Sequence, residues 1–162
     1  MSEINYQRTT IVFPVQNNEY LLGMKKRGFG AGWWNGYGGK LEPGETYEDS
    51  AKRETFEEVG IVIKGLKHIA NLVFYNDNNI QVVSRAYLAE FEGEPVETEE
   101  MRPKYFLPSE FPYSEMWPGD DKWIPDVIRG ESSLKNFEIY FDKDDKFIKI
   151  EEVNEDFIKD KF

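Results

Sequence analysis

Residues Gly39 to Ile61 read GKLEPGETYEDSAKRETFEEVGI. Within this stretch Thr46 is suited to cap a helix, and Asp49 three residues on is a weak capping-box partner. Glu48 and Asp49 put negative charge at the positive end of the helix dipole. Gly60 suits the left-handed residue that ends a helix. The spacing predicts a helix over about Tyr47 to Val59, with Tyr47, Ser50, Ala51, Phe56 and Val59 supplying its buried contacts. On that helix Glu54, Glu57 and Glu58 stand at i, i+3 and i+4, so three carboxylates share one face. Like charges at this spacing repel unless something positive sits among them. Magnesium prefers hard oxygen ligands and usually binds through a few carboxylates, substrate phosphate and water. The trio is a candidate magnesium platform, against the plain alternative of a solvated acidic helix face.

Working outward, residues 28 to 44 hold seven glycines. That density predicts a long loop whose backbone approaches something closely. Upstream, Thr9 to Val15 is rich in β-formers, Asn17-Asn18 signals a turn, and Tyr20 to Met24 makes a second strand. Lys25-Lys26-Arg27 is a basic patch. Downstream come strands over Ile61 to Ile63, Ile69 to Tyr75 and Ile80 to Phe91, with Asn76-Asp77-Asn78-Asn79 as a hairpin turn. Lys104 to Leu107 is a short strand, and Asp120 or Asp121 can cap a helix reaching Arg129. Phe137 to Phe141 and Lys146 to Ile150 alternate around a turn at residues 142 to 145 and read as another hairpin. Strands, one helix, more strands, a second helix and further strands make an α+β class with a mixed β-sheet and few helices. With no repeat or linker, residues 1–162 are expected to form one domain.

The chain has 162 residues, enough for a sizeable core, and 40% of them are hydrophobic. No run of 18 or more apolar residues marks a membrane span. Residues Met1 to Arg8 contain no apolar secretion core, so a cytoplasmic location is expected. Cysteine is absent, which excludes disulfides and thiolate zinc sites. A net charge of −11 argues against binding long nucleic acid, which needs a basic footprint. A small anionic ligand remains compatible, given a metal or local Lys and Arg. A monomer is expected.

The 23-residue stretch matches G-x5-E-x7-R-E-U-x-E-E-x-G-U at all seven fixed positions: Gly39, Glu45, Arg53, Glu54, Glu57, Glu58 and Gly60. Ile61 fills the last apolar position, and Thr55 departs from the first, a change expected to affect packing. On these residues the chain resembles the Nudix hydrolases, which break a pyrophosphate bond in a nucleoside diphosphate linked to another group. The resemblance implies that Glu54, Glu57 and Glu58 hold magnesium, with manganese a substitute, and that the Gly38 carbonyl is a further ligand. Glu100 would approach the metal from outside the box. Metal chemistry of this kind activates a water and neutralises phosphate charge. Glu57 is the first choice for general base and Glu54 the second. Arg53 is expected to brace Glu45 or the helix face, and Lys25 and Lys40 are candidates for phosphate contact.

Beyond the box, residues 21–40 (LLGMKKRGFGAGWWNGYGGK), Glu100 to Pro103 and Met116-Trp117-Pro118 with nearby Asp120 are similar to one branch of the family. That branch hydrolyses oxidised purine nucleoside triphosphates such as 8-oxo-dGTP to the monophosphate and pyrophosphate. The similarity implies a small nucleotide substrate, with Thr10, Phe29, Asn35, Phe74, Trp117 and Asp120 at the base. Tyr37, Gly38, Gly39 and Pro118 are carried over with them as site neighbours. Aromatic faces stack on a purine, and Asn and Asp supply donors and acceptors for its edge. A protonated Asp can donate if its pocket raises its pKa. One departure matters: the branch has two adjacent aspartates after Trp-Pro, and here Gly119 takes the place of the first. Base preference, and with it a different modified nucleotide or nucleoside diphosphate derivative, therefore stays open. A catalytically silent nucleotide-binding domain is a further alternative, although no box carboxylate is missing. His68, the sole histidine, is given no catalytic part.

Overall fold

A computed structural model describes residues 5–162. Met1 to Ile4, part of the N-terminal stretch read above for a secretion core, lie outside the described residues. The elements run β1 (Gln7–Gln16), β2 (Glu19–Lys25), β3 (Trp34–Asn35), α1 (Tyr47–Val59), β4 (Val62–Asn76), β5 (Asn79–Glu92), β6 (Met101–Phe106), α2 (Asp120–Val127), β7 (Lys135–Phe141) and β8 (Phe147–Val153). The strands form one sheet in the order β3-β2-β1-β5-β4-β7-β8, with β6 added against β2. β1 runs parallel to β5 and β7 parallel to β4, and the other pairs are antiparallel. The sheet is thus mixed and the class α+β. No described helix is long and apolar enough to cross a membrane.

The turns follow from residue type. Asn17 and Asn18 have φ 54° and 62°, and Asp77 and Asn78 have 49° and 63°. Two successive left-handed residues match the twist of a two-residue hairpin, and Asn and Asp tolerate that region better than most side chains. β4 is one long strand where the sequence predicts two, because register shifts at Ile63/Gly65 and His68/Ala70 absorb the residues that break the alternation.

Neighbouring residues on β1 face opposite layers. Val12 joins Tyr47, Ala51 and Val59 of α1, with Tyr37 and Tyr87. Phe13 joins Trp123 and Ile124 of α2, with Leu72 and Phe137. The two helices therefore cover opposite faces of the sheet, the ordinary consequence of a two-residue strand period.

Helix α1 has the predicted bounds: Thr46 accepts from the Asp49 N–H at 3.1 Å, and Gly60 is left-handed at φ 77°. One predicted contact is wrong. Phe56 is 57% exposed, while Thr55 and Glu58 take buried places. Ala51, Thr55 and Val59 recur every four residues along the buried stripe, which turns position 56 outward. Thr55 tolerates burial because its hydroxyl donates to the Ala51 carbonyl at 2.7 Å.

Helix α2 also differs from expectation. Its N-cap is Gly119, left-handed at φ 98°, and not Asp120 or Asp121, and the helix ends at Val127, short of Arg129. Asp120 cannot cap because its carboxylate is turned inward, where it accepts from the Trp123 indole N–H at 2.9 Å.

The Thr46 cap sets a stability expectation. Thr46→Ala leaves the Asp49 N–H without its partner and should cost about 1 kcal/mol. Urea denaturation of the two proteins checks this; an unchanged midpoint would show that α1 is held by packing alone.

Candidate active site

The glycine-rich segment is laid along β1. Tyr37 and Val12 exchange backbone hydrogen bonds at 2.8 and 2.5 Å, the Thr10 N–H donates to the Gly39 carbonyl at 3.0 Å, and the Leu41 N–H donates to the Arg8 carbonyl at 2.9 Å. Gly38 sits at φ 136°, and a Cβ there would lie 2.1 Å from the Thr10 carbonyl oxygen. A Cβ on Gly39 would lie 2.6 Å from the carboxyl carbon of Glu54. Only glycine lets the main chain pass between β1 and the acidic face of α1.

The carboxylates of Glu54, Glu57 and Glu58 on the helix stand in different states. Glu58 is 6% exposed, and its Oε1 accepts from the Gly38 N–H at 2.9 Å. Burial pushes its pKa up to about 8, and the charges of Glu54 and Glu100 push the same way against the Gly38 N–H and Lys25. Burial also raises Glu54, opposed by Arg53. Glu57 is exposed and accepts from Arg53 at 3.3 Å.

Arg53 organises the rest. Its Nε and one terminal nitrogen clamp Glu45 at 2.7 and 2.9 Å, a two-pronged geometry. It also reaches Glu54 at 2.9 Å and the Lys40 carbonyl at 3.2 Å. The guanidinium holds the Glu45 carboxyl well below its usual range, at about 2. Arg53 therefore gathers Glu45, Glu54 and Glu57, whereas Glu58 is bonded to Gly38 and feels the charges of Glu54 and Glu100. Among the described residues no three acidic or histidine side chains are posed as one ligand set. The physical reason is that Glu54 and Glu57 turn to the guanidinium. The donor chemistry nonetheless fits a hard cation: the Glu58 carboxyl on the Gly38 N–H and the Glu54 carboxyl against Gly39 are oxygen donors beside a glycine cradle that a Cβ would fill, and burial raises the Glu58 pKa.

Of the residues expected at the base, Thr10 is buried with no partner for its hydroxyl and lies against Gly38. Lys25 is half-buried and close enough to Glu58 to lower its pKa, while Lys40 is exposed. Phe29 is 76% exposed, and its ring lies 5.1 Å from that of Trp117. Phe74 is half-buried against the α2-side core, and Pro118 is exposed. Asn35 spends its side-chain oxygen on the Gly36 N–H at 2.8 Å, which is turn chemistry. Asp120 is buried, and desolvation raises its pKa to about 7. Tyr37 is a correction: its side chain is wholly buried and donates to the Leu22 carbonyl at 2.8 Å, so it is core and cannot touch a ligand. His68 lies apart, bonded to Asn71 and Ala70 within β4.

Two residues escaped the sequence reading. Phe147, on β8, presses against Gly119: a Cβ there would stand 3.0 Å from its ring. The space of the missing carboxylate is thus taken by an aromatic edge. Only the β7–β8 register, Phe141 opposite Phe147, puts it there. The other is Trp33, whose indole stacks on Trp117 at 5.3 Å and 25°. Its neighbour Trp34 opens β3 and is buried in the core, whereas Trp33 precedes the strand, and no local signal in the sequence separates the two.

A mixed sheet between two helices, with an acidic helix meeting a glycine bend, defines the class: the chain belongs to the Nudix family, whose domain model matches residues 5–127. Hydrolases of this family work with a divalent cation. Among its relatives are proteins named oxidized purine nucleoside triphosphate hydrolase. That of Danio rerio is 43% identical over 79% of this chain and 83% of its own length. That of Mus musculus is 40% identical over the same shares. A crystal structure of a MutT protein from Bacillus halodurans superposes with a TM-score of 0.74 at 29% identity, covering 90% of this chain and 97% of that one.

Gly38→Ala should destabilise the protein by more than about 2 kcal/mol, since the backbone must leave φ 136° and clear the Thr10 carbonyl. A melting temperature equal to wild type would remove the cradle from this account. Asp120 supplies a pH expectation. Its folded pKa of about 7 exceeds the ordinary 3.8, so the fold favours the protonated acid. Its contribution is fully present below about pH 4 and is lost as pH rises toward and through 7. The stability of Asp120→Asn relative to wild type should therefore climb between about pH 4 and 7 and then level. Denaturation at several pH values checks it, and a flat difference would contradict it.

Proposed function

We propose that the protein hydrolyses oxidised purine nucleoside triphosphates such as 8-oxo-dGTP to the monophosphate and pyrophosphate, with magnesium as its ion and manganese able to substitute. The observation that carries this reading is the buried Glu58 carboxylate on the Gly38 N–H, with Glu54 and Glu100 beside it. The named activity of the Danio rerio and Mus musculus relatives supports the substrate class. Glu54, Glu57, Glu58, Glu100 and the Gly38 carbonyl would hold a divalent ion, which would supply charge for the phosphates and acidify a water.

The chain's own groups do the rest. Glu57, exposed and within reach of Arg53, takes the proton of the attacking water, with Glu54 as the second candidate. Arg53 positions both while fixing Glu45 at the mouth of the helix. Lys25 and Lys40 meet phosphate oxygens. Trp117 and Phe29 stack on the base, and Asp120, protonated near neutral pH, donates to its edge. One domain over residues 1–162, a monomeric state and a cytoplasmic location complete the proposal. The sheet that runs unbroken from β3 to β8 supports the single domain.

The Phe147 ring beside Gly119 favours a second reading, in which the same reaction acts on a different modified nucleotide. With one carboxyl at the base edge, discrimination between purines rests on fewer directional groups.

Incubation with 8-oxo-dGTP, 2-hydroxy-dATP and dGTP in magnesium separates the readings. Faster turnover of a damaged purine than of dGTP is the expected result. Equal or absent turnover of the damaged ones would remove the proposal. Glu57→Gln should lower kcat by about 100-fold or more, as loss of a general base does. Undiminished hydrolysis by that variant would reassign the base and would fit a protein whose chemistry does not use this helix.

A further inference from the structure

We propose that Trp33 is a positioning residue for the purine, acting through Trp117. The inference rests on the substrate class given above and assigns a residue that nothing in the Nudix box contains. Trp117 follows the buried Met116 in the segment before α2, and its own indole is only half-buried. What lies against that indole is a single turn of chain between β2 and β3. Phe29 lies 5.1 Å away at 31°, and Trp33 lies 5.3 Å away at 25°. Between them Gly30, at φ 88°, passes so close that a Cβ would come within 3.3 Å of the indole.

The turn is itself fixed. The Ala31 N–H donates to the Gly28 carbonyl at 3.2 Å and the Trp33 N–H to the Gly30 carbonyl at 3.1 Å. The Gly32 N–H donates to the Lys25 carbonyl at 2.8 Å, and the Lys25 N–H to the Trp33 carbonyl at 3.2 Å. Trp33 is therefore tied by its backbone to Lys25, whose charge acts on Glu58, and by its ring to Trp117. Of the two aromatics on the turn, Phe29 is mostly exposed, whereas Trp33 is half-buried and nearly parallel to its partner. Trp33 is the better anchor, because a stacked indole pair restricts tilt of both rings. Fixing the plane of Trp117 before binding spares the entropy of ordering it on the ligand.

The expected signature is loss of base binding without loss of chemistry. Having to order a freed Trp117 on the ligand is worth about a threefold to tenfold loss of affinity. Trp33→Ala should raise KM by about that factor and leave kcat within about twofold. Trp33→Phe should restore KM, and Trp33→Leu, apolar but without a ring face, should not. Thermal melts of all three should stay within a few degrees of wild type, since Trp33 lies outside the core clusters. These assays use whichever nucleotide the wild type turns over fastest. If it turns over none, the proposed function fails separately, and the Trp33 variants are compared by calorimetric titration of a purine nucleoside monophosphate. An unchanged KM or affinity in Trp33→Ala overturns the inference. So does a fall in kcat of the same size, a Leu variant as good as Phe, or no binding of the monophosphate to the wild type.

Discussion

A carboxylate held out of water against a backbone N–H is the constraint on which this site depends. Glu58 is nearly fully buried, and Gly38 offers it a hydrogen bond at 2.9 Å. One such bond does not offset the desolvation of a charge, which is why burial drives the Glu58 pKa upward. The contact also joins two parts of the fold: Gly38 belongs to the segment paired with β1, and Glu58 to α1. Helix, bend and sheet can come this close only because the bend has no Cβ at positions 38 and 39.

Arg53 complements this arrangement from the solvent side. Its clamp on Glu45 ties the loop before α1 to the middle of the helix, and its remaining contacts orient Glu54 and Glu57. The same helix thus carries one acid that is buried and hard to ionise, one intermediate, and one exposed. Different environments for identical side chains are what allow different chemical roles. At the other end, Asp120 is buried with one oxygen on Trp123, and Phe147 fills the place beside Gly119. This end of the sheet is consequently more aromatic and less charged than a pair of carboxylates would make it.

Much of this was legible in the chain. The bounds of α1 follow from Thr46 and Gly60, and the hairpin turns from Asn17-Asn18 and Asp77-Asn78, because capping and left-handed turns depend on a few local side chains. The common face of Glu54, Glu57 and Glu58 follows from helical spacing. The exposure of Phe56, the continuity of β4 and the inward turn of Asp120 were not legible. Each is decided by what packs on the far side of the element, which local propensity does not contain.

By itself, then, the sequence determined the elements of the stretch from Gly39 to Ile61 and the placing of acids and glycines along it, since those are governed by interactions a few residues apart. Tertiary structure alone decided that Glu58 and not Glu57 is buried, that Tyr37 is core, that Phe147 stands where Gly119 leaves space, and that Trp33 lies on Trp117. These pairs are separated by up to 84 residues, as Trp33 and Trp117 are. Only the register and twist of the sheet bring them within van der Waals reach.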